Sequence, residues 1–183
     1  MMTQRKRIFT IAVAMGAAVG VIAAGSAATA SNGSHDVPVT LHEQLTGYEE
    51  TPLALSTTGT GRFRAQIKEG QQQITYTLSY SGLEGTVTQA HIHFGAKAQS
   101  GGISVFLCSN LGNGPAGTQA CPAAPGSVSG TITATDVIGP TTQGIGAGEF
   151  AELISAMRAG TTYVNVHSTL YAAGEIRAQL GHH

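Results

Sequence analysis

The sequence predicts an all-β fold, an antiparallel β-sandwich or barrel of about eight short strands, with one amphipathic helix near residues 149–159. Three observations carry that expectation. Apolar and polar residues alternate with period two through most of the chain after residue 37, the pattern of half-buried strands. Gly, Pro, Asn and Ser cluster between those runs, as they do in turns. One stretch alone, "GEFAELISAMRAG", sets Phe150, Leu153, Ile154 and Met157 at helical spacing, with Gly160 placed to stop the helix.

Taken in order, "VPVTLHEQLT" opens as a strand with Val37, Val39 and Leu41 on one side, and "GYEETPLALSTTG" is a turn-rich connection carrying Pro52. "GRFRAQIKE" and "QQQITYTLSYSG" form a hairpin around Glu69 and Gly70. In its second strand Ile74, Tyr76, Leu78 and Tyr80 alternate with Gln73, Thr75, Thr77 and Ser79. "VTQAHIHFG" and "GGISVFLC" are strands joined by the small polar "AKAQS", and "GSVSGTITATDV" supplies Val128 and Ile132 in a Thr-rich strand. Beyond the helix, "TTYVNVHSTL" and "GEIRAQL" are two strands flanking "YAAG". There is no internal repeat, so residues 31–183 read as a single β-domain.

The first thirty residues read as an address. Arg5, Lys6 and Arg7 precede an uncharged run, "IFTIAVAMGAAVGVIAA", and Ala28-Thr29-Ala30 has the small-x-small form of a signal-peptidase site. The expectation is a signal peptide over residues 1–30, cleaved after Ala30, and a secreted, periplasmic or cell-envelope protein with no membrane span in its mature form. The whole chain has nine Lys+Arg and ten Asp+Glu, so losing Arg5, Lys6 and Arg7 leaves a net charge of about −4. That balance offers no basic stripe for nucleic acid.

Both cysteines, Cys108 and Cys121, fall in the exported part, where an even count predicts a disulfide. The enclosed "SNLGNGPAGTQA" has little of its own to order it. Closing a loop of this size contributes roughly 3 kcal/mol in the chain-entropy model. The spacing is not Cys-x-x-Cys, which argues against a redox thiol pair.

Side chains two apart on a strand project from one face. On "QAHIHFG", Ala90, Ile92 and Phe94 share one face while Gln89, His91 and His93 share the other. On "YVNVHS", Val164 and Val166 oppose Tyr163, Asn165 and His167; on "GEIRAQL", Ile176, Ala178 and Leu180 oppose Glu175, Arg177 and Gln179. If the three strands are neighbours, His91, His93 and His167 converge behind an apolar layer. Two imidazoles at i and i+2 start roughly 6 to 7 Å apart at the backbone, and their nitrogens can close on one ion about 2.0 to 2.1 Å from each. Copper and zinc both suit three imidazole nitrogens. Asn165, Glu175 and Arg177 stand ready to support the ligands from behind, although Glu175 and Arg177 also read as a surface ion pair. His35, His42, His182 and His183 read as solvated rings.

These same residues carry a family likeness. "QAHIHFGAKAQSGGISVFLC" and "LISAMRAGTTYVNVHSTLYAAGEIRAQL" resemble the CHRD domain, a module named for chordin and found in secreted microbial proteins. The matching features are His91 and His93, Gly101 and Gly102, Tyr163, Asn165 and His167, and Gly174 to Arg177. "EETPLALSTTGTGRFRAQI" resembles the family's opening segment. The likeness spans roughly residues 40–180 and departs from the usual pattern at Ala173, where Pro is common, and at Ala178, where Gly is. It implies an extracellular β-rich domain without an established catalytic mechanism. A weaker likeness is to copper–zinc superoxide dismutase, which needs further histidines and an aspartate that this chain, with only Asp36 and Asp136, does not array.

The expected function is therefore a non-enzymatic ligand- or metal-binding module with copper or zinc on three histidines, or a protein or glycan partner outside the cell. The alternative is a copper-dependent oxidoreductase, superoxide dismutase-like, using the same histidines. Ring nitrogens about 3 to 4 Å apart would fit one shared ion, and separations beyond about 8 Å would end the idea.

Overall fold

The computed structural model describes residues 38–181. The expected export segment, Val37, His35, His182 and His183 lie outside the described residues. Eight strands form: β1 (Val39–Thr46), β2 (Thr60–Lys68), β3 (Gln73–Ser81), β4 (Val87–Phe94), β5 (Gly102–Ser109), β6 (Gly126–Ile132), β7 (Thr162–Ser168) and β8 (Ile176–Leu180). The helix α1 spans Phe150–Arg158, between β6 and β7.

All eight strands join one antiparallel sheet in the order β5-β4-β7-β8-β1-β2-β3-β6, curled into a nearly closed barrel. Of the two expected architectures, the barrel is the one formed. Alternation explains the curl's inside: Leu41, Leu45, Phe63, Ile74, Leu78, Ile92, Val164, Val166 and Ile176 are all buried in one cluster. Each such side chain contributes roughly 1.5–3 kcal/mol by leaving water.

The two end strands, β5 and β6, meet at a seam closed by side chains rather than by a ladder. Tyr76 Oη donates to the Leu107 carbonyl at 3.1 Å, tying β3 to β5. Gln119 Nε2 donates to Tyr76 Oη at 2.9 Å and reaches the Leu107 and Ser129 carbonyls at 3.1 and 3.2 Å. Gln119 belongs to the loop clasped by the Cys108–Cys121 disulfide, whose Cα atoms are 5.0 Å apart. The clasp therefore holds in place the residue that bridges the seam.

In α1, Phe150, Leu153, Ile154 and Met157 turn inward as their spacing predicts. Glu152 in the first turn and Arg158 in the last oppose the helix dipole favourably. The helix stops at Gly160, which takes φ +66°; its N–H reaches the Met157 carbonyl and the Thr161 N–H reaches Ala156, both at 3.0 Å. That pair of bonds is the Schellman arrangement, which needs a left-handed residue. Arg158 also pairs with Glu69 of the β2–β3 turn. Among the described residues no helix is long and apolar enough to cross a membrane.

The outer surface of the barrel is of two kinds. On β2, Arg62, Arg64 and Gln66 are exposed, whereas every residue of β7 is buried. Strand β7 lies between β4 and β8, and loops fold over its outer side: Arg177 of β8 donates to Thr51, to Gln99 O at 3.0 Å and to Ala96 O at 3.3 Å. A polar face that alternation places outward has thus been roofed.

Replacing both Cys108 and Cys121 with Ala should lower unfolding stability by roughly 3 kcal/mol. Chemical denaturation measures this, and an unchanged midpoint would show that the clasp does not hold the seam.

Candidate metal centre

Sequence places His91 and His93 two apart on β4, and the fold supplies the third ring. In the β4–β7 register Gln89 faces His167, His91 faces Asn165 and His93 faces Tyr163. His167 is therefore one step diagonal from His91, on the same side of the sheet. On the other flank of β4 the ladder to β5 slips between Ala90 and His91 and again between Ile92 and His93. Such bulges re-aim side chains, and here they bracket the two ligand candidates.

The three imidazoles converge. One nitrogen from each lies within 4.8 Å of the others, and no carboxylate joins the group. His91 Nδ1 donates to His167 Nε2 at 3.1 Å, since His167 Nδ1 already donates to Ala172 O; the same separation is inside the range for two ligands of one ion once that proton is lost. Their ring centroids are 4.9 Å apart, and those of His91 and His93 are 5.3 Å apart.

Backbone carbonyls fix the tautomers. His93 Nδ1 donates to Gly101 O at 2.9 Å and His167 Nδ1 donates to Ala172 O at 3.0 Å. In each ring this leaves the Nε2 lone pair facing inward, the way protein ligands are usually oriented. His91 Nε2 and His93 Nε2 are buried without a hydrogen-bond partner. Buried polar atoms without partners are rare and call for an explanation.

The rings are also held from the side. Phe106 meets His91 edge-on at 4.4 Å. Tyr163 stacks on His93 at 4.8 Å with the planes 2° apart. The Arg177 guanidinium lies 3.5 Å from the Tyr163 ring centroid, and Tyr163 Oη accepts the Gly101 N–H at 3.1 Å. Gly101 is thus tied to both His93 and Tyr163.

Burial makes the group basic in no practical sense. His91 is held down to about 2, by burial foremost and then by His167 and His93. His93 falls to about 4, again chiefly through burial, and His167 is lowered for the same reason. All three rings are neutral near pH 7, with lone pairs available to a cation.

Sequence reading missed Glu50. It lies in the connection after β1, where no alternation marks it, yet it is only 7 % exposed. Burial pushes its carboxyl up to about 7, with Arg177 and then hydrogen bonds from Thr51 and Asn165 pulling the other way. Gly174 makes this packing possible. It adopts φ +137°, and a Cβ there would fall 2.6 Å from Asn165 Nδ2 and 2.7 Å from both Glu50 carboxylate oxygens. Asn165 consequently stands between Glu50 and the histidine face.

The remaining expected supports divide. Arg177 is 2 % exposed and caps loop carbonyls while lying on Tyr163. Glu175 is fully buried and turned elsewhere, accepting from Thr57 Oγ1 at 2.8 Å and Glu84 N–H at 2.7 Å. The surface ion pair expected of Glu175 and Arg177 does not form, because loops 47–59, 82–86 and 96–101 cover both residues and satisfy them separately. His42 is exposed, as expected.

Two outcomes follow from this packing. Unfolded imidazoles take up protons as pH falls through about 6.5, but folded His93 does so only near 4 and His91 near 2. The unfolded state then binds more protons, so stability present above 6.5 is lost as pH falls. Glu50 acts oppositely, its contribution being complete below 4.5 and lost as pH rises through about 7, but one carboxyl faces three rings. The melting temperature of metal-free protein should therefore drop between pH 6.5 and pH 4, less steeply in His93→Gln; a flat profile would contradict the neutral cluster. Separately, Gly174→Ala should destabilise by roughly 1–3 kcal/mol, measured by denaturation, whereas a neutral effect would contradict the tight Glu50–Asn165 packing.

A family model described as CHRD domain matches residues 41–180. No curated protein and no solved structure matches the chain.

Proposed function

The chain belongs to the CHRD family, and from that premise we propose that it is a metal-binding module that works outside the cell, holding one copper or zinc ion without carrying out a reaction. The single observation that carries this reading is the convergence of three neutral imidazoles, each offering a nitrogen within 4.8 Å of the others, in a group where Nε2 of His91 and Nε2 of His93 are buried without partners. A cation is the partner such lone pairs fit, because a second buried proton is disfavoured and the one side-chain amide beside them, Asn165, acts on His93 alone among the three rings. His91, His93 and His167 are the proposed ligands. The Gly101 and Ala172 carbonyls would fix two of the rings in a donor-ready tautomer, and Phe106 and Tyr163 would fix their tilt.

Location outside the cell is supported by the Cys108–Cys121 disulfide, which suits an oxidising compartment. The basic, then apolar, then small-residue order of residues 1–30 supports export through cleavage. Among the described residues the three histidines form one group with metal-ligand spacing. A second, adjoining cluster of the kind a copper–zinc superoxide dismutase pairs with its copper is not among the described residues, and so binding is the reading put forward rather than redox turnover.

The test is elemental analysis of the full chain, expressed with its leader and purified without an affinity tag, beside a His91→Ala, His93→Ala variant. About one copper or zinc per chain should be found, and it should vanish in the folded variant. An untouched protein without stoichiometric copper or zinc would remove the proposal.

A further inference from the structure

We infer that the ion the site is built for is monovalent copper, and that Arg177 acts through Tyr163 to disfavour a divalent one. This rests on the metal-binding reading above and names which ion it concerns.

The first argument is charge. All three ligands are neutral and no carboxylate joins them. Every zinc or cupric ion placed there keeps its full double charge in a buried setting, where His91 is fully buried and His93 and His167 are 7 % and 6 % exposed. Because the cost of taking an ion from water grows with the square of its charge, a dication loses roughly four times what a monocation loses. An anionic ligand, such as the Glu of the His2Glu zinc sites, would offset part of this cost. The one carboxylate near this face, Glu50, is held back from the rings: its neighbours are Asn165 and the Gly174 backbone, and Arg177 is its coulombic partner.

The second argument is the fixed cation. Arg177 projects from β8, Tyr163 from β7 and His93 from β4, and those strands are consecutive in the sheet. The guanidinium lies 3.5 Å from the centre of a ring that itself stacks on His93 at 4.8 Å. Arg177 is anchored there by the Gln99 and Ala96 carbonyls and cannot swing away without releasing them. Its positive charge opposes each unit of charge on the ion, and therefore opposes two more than one.

The third argument is coordination. Zinc with three histidines takes a fourth ligand, ordinarily water, in an open position. Here the neighbour packed edge-on against His91, at 4.4 Å, is Phe106, which offers no fourth ligand. Monovalent copper, with half the charge of zinc on the same filled d shell, is content with three ligands. Tyr163 and Arg177 are positioning residues in this account, since neither touches the ion.

The experiment is a set of competition titrations on the full chain: Cu(I) without oxygen against a coloured cuprous chelator, and Zn(II) and Cu(II) against chelators of known affinity. Arg177→Gln is titrated alongside. Cu(I) should bind tightest in the wild type, and Arg177→Gln should narrow the gap to both dications by about tenfold or more. Tighter binding of Zn(II) or Cu(II) by the wild type would overturn this inference and leave the metal-binding proposal standing. An unchanged gap in folded Arg177→Gln would overturn the role given to Arg177. Failure of every ion to bind would defeat both readings. Should Arg177→Gln not fold, the wild-type order of affinities decides the ion by itself.

Discussion

The arrangement depends on β7 being buried on both faces. Its apolar residues, Val164 and Val166, close the barrel's interior, while Tyr163, Asn165 and His167 point outward into a second, polar interior roofed by loops. A strand with one wet side would leave its histidine in water, with an ordinary pKa and water for company. Covering that side removes water, and every polar group there must then find a protein partner or a ligand. The roof is what turns a polar strand face into a site.

The partners are found group by group, and the exceptions define the site. Arg177 has loop carbonyls and the Tyr163 face; Glu175 has the Thr57 hydroxyl and the Glu84 N–H; His93 and His167 each satisfy one nitrogen on a carbonyl. The buried atoms without a hydrogen-bond partner include four of this network, Nε2 of His91, Nε2 of His93, Oδ1 of Asn165 and one oxygen of Glu50, besides Ser104 Oγ and Thr162 Oγ1 outside it. Nitrogens held neutral, oriented by carbonyls and clustered within one ion's reach have a chemical meaning that scattered orphans would lack.

Much of this was legible in the sequence, because alternation is a strong signal where a strand has one apolar side. Ala90 and Ile92 against His91 and His93, or Val164 and Val166 against Asn165 and His167, assign faces without coordinates. Alternation does not say what covers the polar face. For that reason Glu175 and Arg177 read as a surface pair and are instead buried apart. Nor does it reach Glu50, which lies in an aperiodic connection and arrives at Asn165 only because Gly174 leaves room for it. The bulges beside His91 and His93 are likewise invisible in sequence, since they arise from how β4 meets β5. The choice between sandwich and barrel was also out of reach, since it turns on the β5–β6 seam that Gln119 and Tyr76 bridge.

The central claim is that three side chains from two non-consecutive strands hold one ion between them. The most direct measurement is anomalous diffraction from crystals of the untagged protein, recorded on both sides of the copper and zinc absorption edges. The account predicts one peak about 2.0–2.1 Å from a nitrogen of each of His91, His93 and His167. A peak bound by other residues, or well-ordered imidazoles with no peak between them in protein supplied with the metal, would contradict it.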